Sequence, residues 1–162
     1  MPRVHWPGWT KQDTLLLPVP PEAWPPPAAP VTIDGITLQP KRELHITLVG
    51  RRLGRELRAA ADAGRIRADA VRKAFEARDW SWTATGGRTL LEAPAKRKGD
   101  PMRHALVEHL DLPAMAAFHG DLADLLGRSL PVPPPHVTLY VAGSRQGIGL
   151  PDRETLAAYA RC

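Results

Sequence analysis

One cysteine, Cys162 at the last position, is all the thiol chemistry this 162-residue chain offers. A single thiol excludes an intrachain disulfide and a thiolate metal cluster, each of which needs at least two. No stretch approaches the roughly 20 consecutive apolar residues of a membrane-spanning helix. The first residues, Met1-Pro2-Arg3-Val4-His5-Trp6, lack the apolar core of a signal peptide. A cytoplasmic protein with no membrane partner is therefore expected. Also missing are a glycine-rich phosphate-cradling loop, a serine-nucleophile motif and a His-Glu-x-x-His helix. The chemistry is expected to use neither cofactor nor metal.

What is present suits one globular domain over residues 1–162. The chain is 43% hydrophobic and 24% charged, with enough length for a core of its own, and a monomer is expected. A net charge of +5 and a pI near 9.9 favour an anionic partner, although arginine-rich genome composition produces the same bias. Residues 1–30 form a proline-rich N-terminal segment. Seven prolines between Pro18 and Pro30 remove amide donors and hold the backbone extended, which reads as a loop or spacer, with a proline-recognition ligand as the alternative.

Beyond that run, Val31 to Leu38 alternates apolar and polar residues and predicts a strand or hairpin. Good helix formers across Leu53–Ala63 and Ile66–Arg78, separated by Gly64, predict two helices. Trp80–Leu91 and Met102–Leu110 read as a strand pair with a basic tip at Lys96-Arg97-Lys98. A helix is expected from Pro113 to Leu126, ended by Gly127, and a short one from about Asp152. The order β-α-α-β-β-α-β-α points to an α+β fold with mostly antiparallel sheets.

Two strings stand out against this background, His45-Ile46-Thr47-Leu48 and His136-Val137-Thr138-Leu139. Six histidines and ten threonines yield about 0.4 His-x-Thr strings by chance, and about 0.07 when both interleaved positions must be apolar, so a pair is a roughly 1-in-400 event. As strands, they put His45 and Thr47 on one face and Leu44, Ile46 and Leu48 on the other. The same alternation groups His136, Thr138 and Tyr140 against Val137, Leu139 and Val141.

Histidine is the side chain whose ordinary pKa, about 6.5, allows proton transfer in both directions near neutral pH. In phosphodiester cleavage one neutral imidazole can deprotonate the attacking hydroxyl or water while an imidazolium protonates the departing oxygen. Threonine hydroxyls can donate to the non-bridging oxygens as charge builds on them. A zinc site is a poorer use of the same residues, since threonine is a weak ligand and only two histidines are in view.

With Val49-Gly50 after the first string and Pro135 before the second, the pair resembles the signature of the 2H (two-histidine) phosphoesterases, which include RNA 2′,3′-cyclic phosphodiesterases and 2′,5′ RNA ligases. The resemblance implies two pseudo-symmetric α+β lobes facing each other across a central cleft, with one motif strand in each. It implies His45 and His136 as acid and base and Thr47 and Thr138 as phosphate ligands. Ligase-like members carry an arginine just after the second motif, whereas here Tyr140-Val141-Ala142-Gly143 follow and Arg145 is the nearest substitute.

Four further residues are candidates for substrate binding. Tyr140 and Arg145 would line the cleft, and Trp80 and Trp82 would stack on nucleobases, with sheet or core packing as the alternative for the aromatics. His5, His104, His109 and His119 have no motif around them, and His104 and His109 are expected on opposite faces of their strand. The expected function is a metal-independent phosphodiesterase acting on a 2′,3′-cyclic phosphate or 2′,5′-type bond of RNA or a nucleotide. The alternatives are a non-catalytic nucleotide- or RNA-binding module and an enzyme that degrades a cyclic nucleotide or oligonucleotide signal.

Overall fold

A computed structural model describes residues 4–161. Met1 to Arg3 and Cys162, on which the signal-peptide and thiol readings partly rest, lie outside the described residues. The chain runs β1 (Leu15–Val19), β2 (Val31–Ile33), β3 (Ile36–Pro40), β4 (Leu44–Val49), α1 (Arg51–Asp62), α2 (Ala70–Glu76), β5 (Thr83–Ala93), β6 (Arg103–Asp111), α3 (Ala114–Leu126), β7 (His136–Ala142) and α4 (Arg153–Tyr159). It is an α+β fold in which four helices accompany one open seven-stranded sheet with every pairing antiparallel. Among the described residues no helix is long and apolar enough to cross a membrane.

In three places the structure differs from what the sequence predicts. Leu15 to Val19 forms a strand the reading did not include, and Pro18 sits inside it, exposed. Proline survives there because β1 is the sheet's edge, where a missing amide donor leaves no ladder bond unmade. The strand expected from Trp80 starts at Thr83, because Trp80 turns into the core instead. The helix expected from Ile66 starts at Ala70.

β7 is the hub. Along one side it pairs with β6 from His109↔His136 to His104↔Ala142. Along the other it meets β4 at its start, through Ile46↔Val137, and β3 at its end, through Pro40↔Tyr140 and Gln39↔Val141. β3 and β4 thus act as one strand interrupted at Lys41-Arg42-Glu43, where the Lys41 amide still donates to the Leu139 carbonyl at 2.8 Å.

The two faces of this sheet are covered differently. One buries Ile46, Leu48, Leu110 and Val137 in a cluster with Leu57 of α1, Phe75 of α2 and Phe118 of α3. Each fully buried aromatic or leucine there contributes about 1.5–3 kcal/mol relative to exposure. In α3 the inward residues Met115, Phe118, His119 and Leu122 follow helical spacing, and Gly127, at φ 69°, caps the helix in the left-handed conformation. The opposite face is covered at only one end, where Ile148, Leu150 and Leu156 pack on Leu91, Ala105, Val107 and Val141.

Besides a register shift between Ala84 and Arg88 on β5, two β-bulges punctuate the ladder at the His-x-Thr strings. Between β1 and β4 the register steps from Leu15↔Val49 to Leu16↔Thr47, leaving Leu48 unopposed. Between β6 and β7 it steps from Leu106↔Tyr140 to Val107↔Thr138, leaving Leu139 unopposed. A bulge re-aims the side chains beyond it, and each falls on the last residue of a His-x-Thr string.

Candidate active site

The Ile46↔Val137 pair fixes the arrangement of the two strings. Counting outward by one residue in an antiparallel pair puts His45 across from Thr138 and Thr47 across from His136. The four side chains form a square of alternating imidazole and hydroxyl on the face away from the α1–α3 core. Diagonal neighbours in such a ladder stand roughly 7–8 Å apart. That is about the span of a phosphate oxygen pair with one hydrogen bond of ~2.8 Å on each side.

His136 is the more enclosed imidazole, 9% exposed. Its Nδ1 lies 2.8 Å from the carbonyl of Pro134. A carbonyl only accepts, so Nδ1 carries the hydrogen and Nε2 presents a lone pair. Among the described residues His119 Nδ1 alone is both buried and unpartnered, so Nε2 of His136, which has no protein partner, reaches solvent. The stiff run Pro133-Pro134-Pro135 sets the position of that carbonyl. Burial pushes the His136 pKa below 6.5; the Pro134 bond opposes this, and His109 and His45 add to the depression. His45 is half-buried, and its pKa is also lowered, first by burial and then by Lys41, against an opposing pull from Glu43. Both shifts favour the neutral rings in the free protein, and an anion between them would favour the protonated forms.

A loop folds back from the end of β7 over this face. Gly147 lies so close to Thr138 that a Cβ there would stand 2.9 Å from its hydroxyl oxygen, so only glycine lets the loop cover the threonine without displacing it. Lys41 Nζ donates to the backbone carbonyl of Arg145 at 3.0 Å, which ties the loop to the β3–β4 bend. The Arg145 side chain itself is exposed.

The structure thus brings His45, Thr47, His136 and Thr138 together and places the backbone of Arg145 at their margin. It removes Tyr140. Because Leu139 is bulged, Tyr140 pairs with Leu106 while Thr138 pairs with Val107, and successive β6 residues face opposite ways. Tyr140 accordingly packs with Leu38, Leu90 and Leu106 on the other side of the sheet. Trp80 is also displaced from the list of substrate contacts. It is 5% exposed, stacks on Phe75 at 5.2 Å and donates its Nε1 hydrogen to the Phe75 carbonyl at 2.9 Å. Trp82 meets Trp24 of the proline-rich segment at 5.8 Å and packs against the main core, so its ring anchors that segment.

Three contributors escaped the sequence reading. His109 pairs directly with His136 on the same face, and its Nε2 shares a 2.7 Å hydrogen bond with Thr89 Oγ1. Its parity with Ala105 and Val107 was the only available signal, and it names a face without naming a neighbour. Lys41 reaches the site because β3 and β4 flank one strand. His119 supports it from below, with its Nε2 donating to the carbonyl of Leu48 at 2.7 Å. His104 instead binds Glu92 on the opposite face, as strand alternation implies. Among the described residues no three His, Cys, Asp or Glu side chains are grouped to hold a metal ion. Comparisons with protein families, with curated proteins and with solved structures return no match for this chain.

Proposed function

We propose that this chain is a two-histidine phosphodiesterase that works without a metal, cleaving a 2′,3′-cyclic phosphate or a 2′,5′-type phosphodiester of RNA or a nucleotide. The observation that carries the reading is the single-bridge register Ile46↔Val137, which sets two imidazoles diagonally across two threonines on one open face. In this reading the strands up to β4 and those from β5 to β7 act as the two pseudo-symmetric halves of the two-histidine fold. The protein acts as a monomer in the cytoplasm.

His136 is the base. Its Nδ1–H is fixed by the Pro134 carbonyl, so Nε2 has the lone pair needed to take a proton from water or from a ribose hydroxyl. His45, less buried and beside Glu43, is the acid that protonates the departing oxygen. Thr47 and Thr138 donate to the non-bridging oxygens as the phosphorus becomes five-coordinate. The basic surroundings, Lys41 first among them, favour an anionic substrate.

The test is incubation with nucleoside 2′,3′-cyclic phosphates and short 2′,5′-linked oligonucleotides in excess EDTA, with detection of the monoester product. Each proton-transfer partner contributes about 10²- to 10⁴-fold, so His45→Ala and His136→Ala should each lose that much activity and keep the fold. Wild-type rates in both variants would refute the proposal. Nucleotide affinity without turnover across the panel would identify a binding module instead. Turnover confined to cyclic oligonucleotides, read by mass spectrometry, would make this a signal-degrading enzyme.

A further inference from the structure

Row by row across the open face, the sheet places Thr47, His136 and His109 side by side on β4, β7 and β6, and His45, Thr138 and Val107 beneath them. The third imidazole is therefore as near to His136 as the sheet allows, since directly opposed residues have Cβ atoms about 4.5–5.5 Å apart. It is also held. Thr89, on the neighbouring strand β5, shares the 2.7 Å bond with its Nε2, and the His109 carbonyl accepts a 2.8 Å bond from Thr85 Oγ1. A half-buried histidine fixed at both ring and backbone, in contact range of a candidate base, does more than fill space.

We infer that His109 is a positioning residue for His136: bonded to Thr89 and directly opposite the reacting ring, it confines that ring from the β6 side and determines the charge it faces there. The inference rests on the two-histidine reading for its catalytic consequence, but its physical content concerns only two imidazoles. Its chemistry is that of two coupled sites. When His109 carries a proton, a second proton on His136 must be added beside a like charge in a partly desolvated setting, which is unfavourable. His109 in this way adds to the depression that burial imposes on His136.

The groups facing His136 from each neighbouring element are few. β4 contributes His45, with Lys41 and Glu43 from the adjoining bend acting on it. β6 contributes His109 and, two residues further on the same face, the exposed Asp111, whereas Glu108 turns to the other face and pairs with Arg88 at 3.0 Å. β5 contributes the uncharged Thr85 and Thr89. From the loop after β7, Arg145 comes near through its backbone. Removing His109 thus removes the imidazole that β6 sets directly opposite His136.

The experiment follows the imidazole carbon-bound protons by NMR as pH is varied, in the full-length protein and in His109→Gln, whose amide retains a partner for Thr89 without a titrating charge. In the wild type the His136 resonance should titrate below 6.5. In His109→Gln that inflection should move to higher pH by about 0.5 unit, as expected for like charges ~6 Å apart in a water-like dielectric. Thr89→Val provides the second variant. It leaves both imidazoles but frees the His109 ring, and should move the His136 inflection in the same direction by less. The acidic limb of kcat/KM should follow the resonance. Shifted resonances without any turnover would sustain the His109–His136 coupling while overturning the phosphodiesterase reading. A His136 titration unmoved in both variants would overturn the inference, whatever the activity.

Discussion

His119 gives the sharpest test of how the fold supports the site. The β-bulge leaves Leu48 without an opposing residue on β1, and α3 supplies a partner through His119 Nε2–H. The same ring has a cost, because Nδ1 is buried with no partner. Replacing His119 by Leu strands the Leu48 carbonyl, a loss of about 1–3 kcal/mol, and at the same time removes an unsatisfied acceptor of comparable cost. Those terms oppose each other, so the variant at pH 7.5 should lie within about 1 kcal/mol of the wild type. The pH dependence should separate them. Burial lowers the His119 pKa below 6.5, so between the folded and unfolded values the unfolded chain binds more protons. Wild-type stability is then intact above about pH 6.5 and falls below it, by at most about 1.4 kcal/mol per pH unit for this one group. His45 and His136 contribute equally to both proteins and cancel. Urea unfolding at pH 7.5 and 5.0 should show the difference between variant and wild type moving in the variant's favour at pH 5.0, by up to about 2 kcal/mol. A difference that stays constant between the two pH values would refute the assignment of His119 as a neutral, buried donor.

The remaining expectations concern the site itself. Thr138→Val keeps the shape but removes a donor to the phosphate, and should lower kcat by about 10²- to 10³-fold with unchanged thermal unfolding; a loss below about threefold in kinetic assays would exclude the role. Because both candidate imidazoles are depressed below 6.5 in the free protein, the proposed activity should have a bell-shaped kcat/KM with its maximum below pH 6.5. The kcat profile should sit at higher pH, since a bound phosphate anion favours both imidazolium forms; coincident profiles with a maximum above pH 7.5 would contradict this. Trp80→Phe should cost about 1–3 kcal/mol by stranding the Phe75 carbonyl while leaving KM unchanged. A raised KM at unchanged stability would return Trp80 to the substrate.

The motif strands were readable from the chain because strand alternation is a local rule. Each string separates a polar pair from an apolar set, and the burial of Leu44, Ile46, Leu48, Val137 and Leu139 follows that split. The hairpin tip, the α3 stop at Gly127 and the Asp152 cap of α4, which accepts from the Thr155 amide at 2.7 Å, were equally local. Where the reading failed, a distant contact had overruled a local pattern. Alternation put Tyr140 beside Thr138, and one extra residue in β7, opposed by nothing in β6, sent it to the other face. Aromatic spacing put Trp80 on a strand, and Phe75 with Phe118 drew it into the core.

The sequence alone therefore singled out the candidate site, two imidazoles and two hydroxyls, and which side of each strand they occupy, because period-2 geometry depends only on neighbours in the chain. Tertiary structure alone decided that those strands lie side by side, that His109 joins them from β6, and that His119 and Lys41 serve the same site. Pairing register and bulges are set by residues far apart in the chain, and no periodicity within one strand encodes its partner.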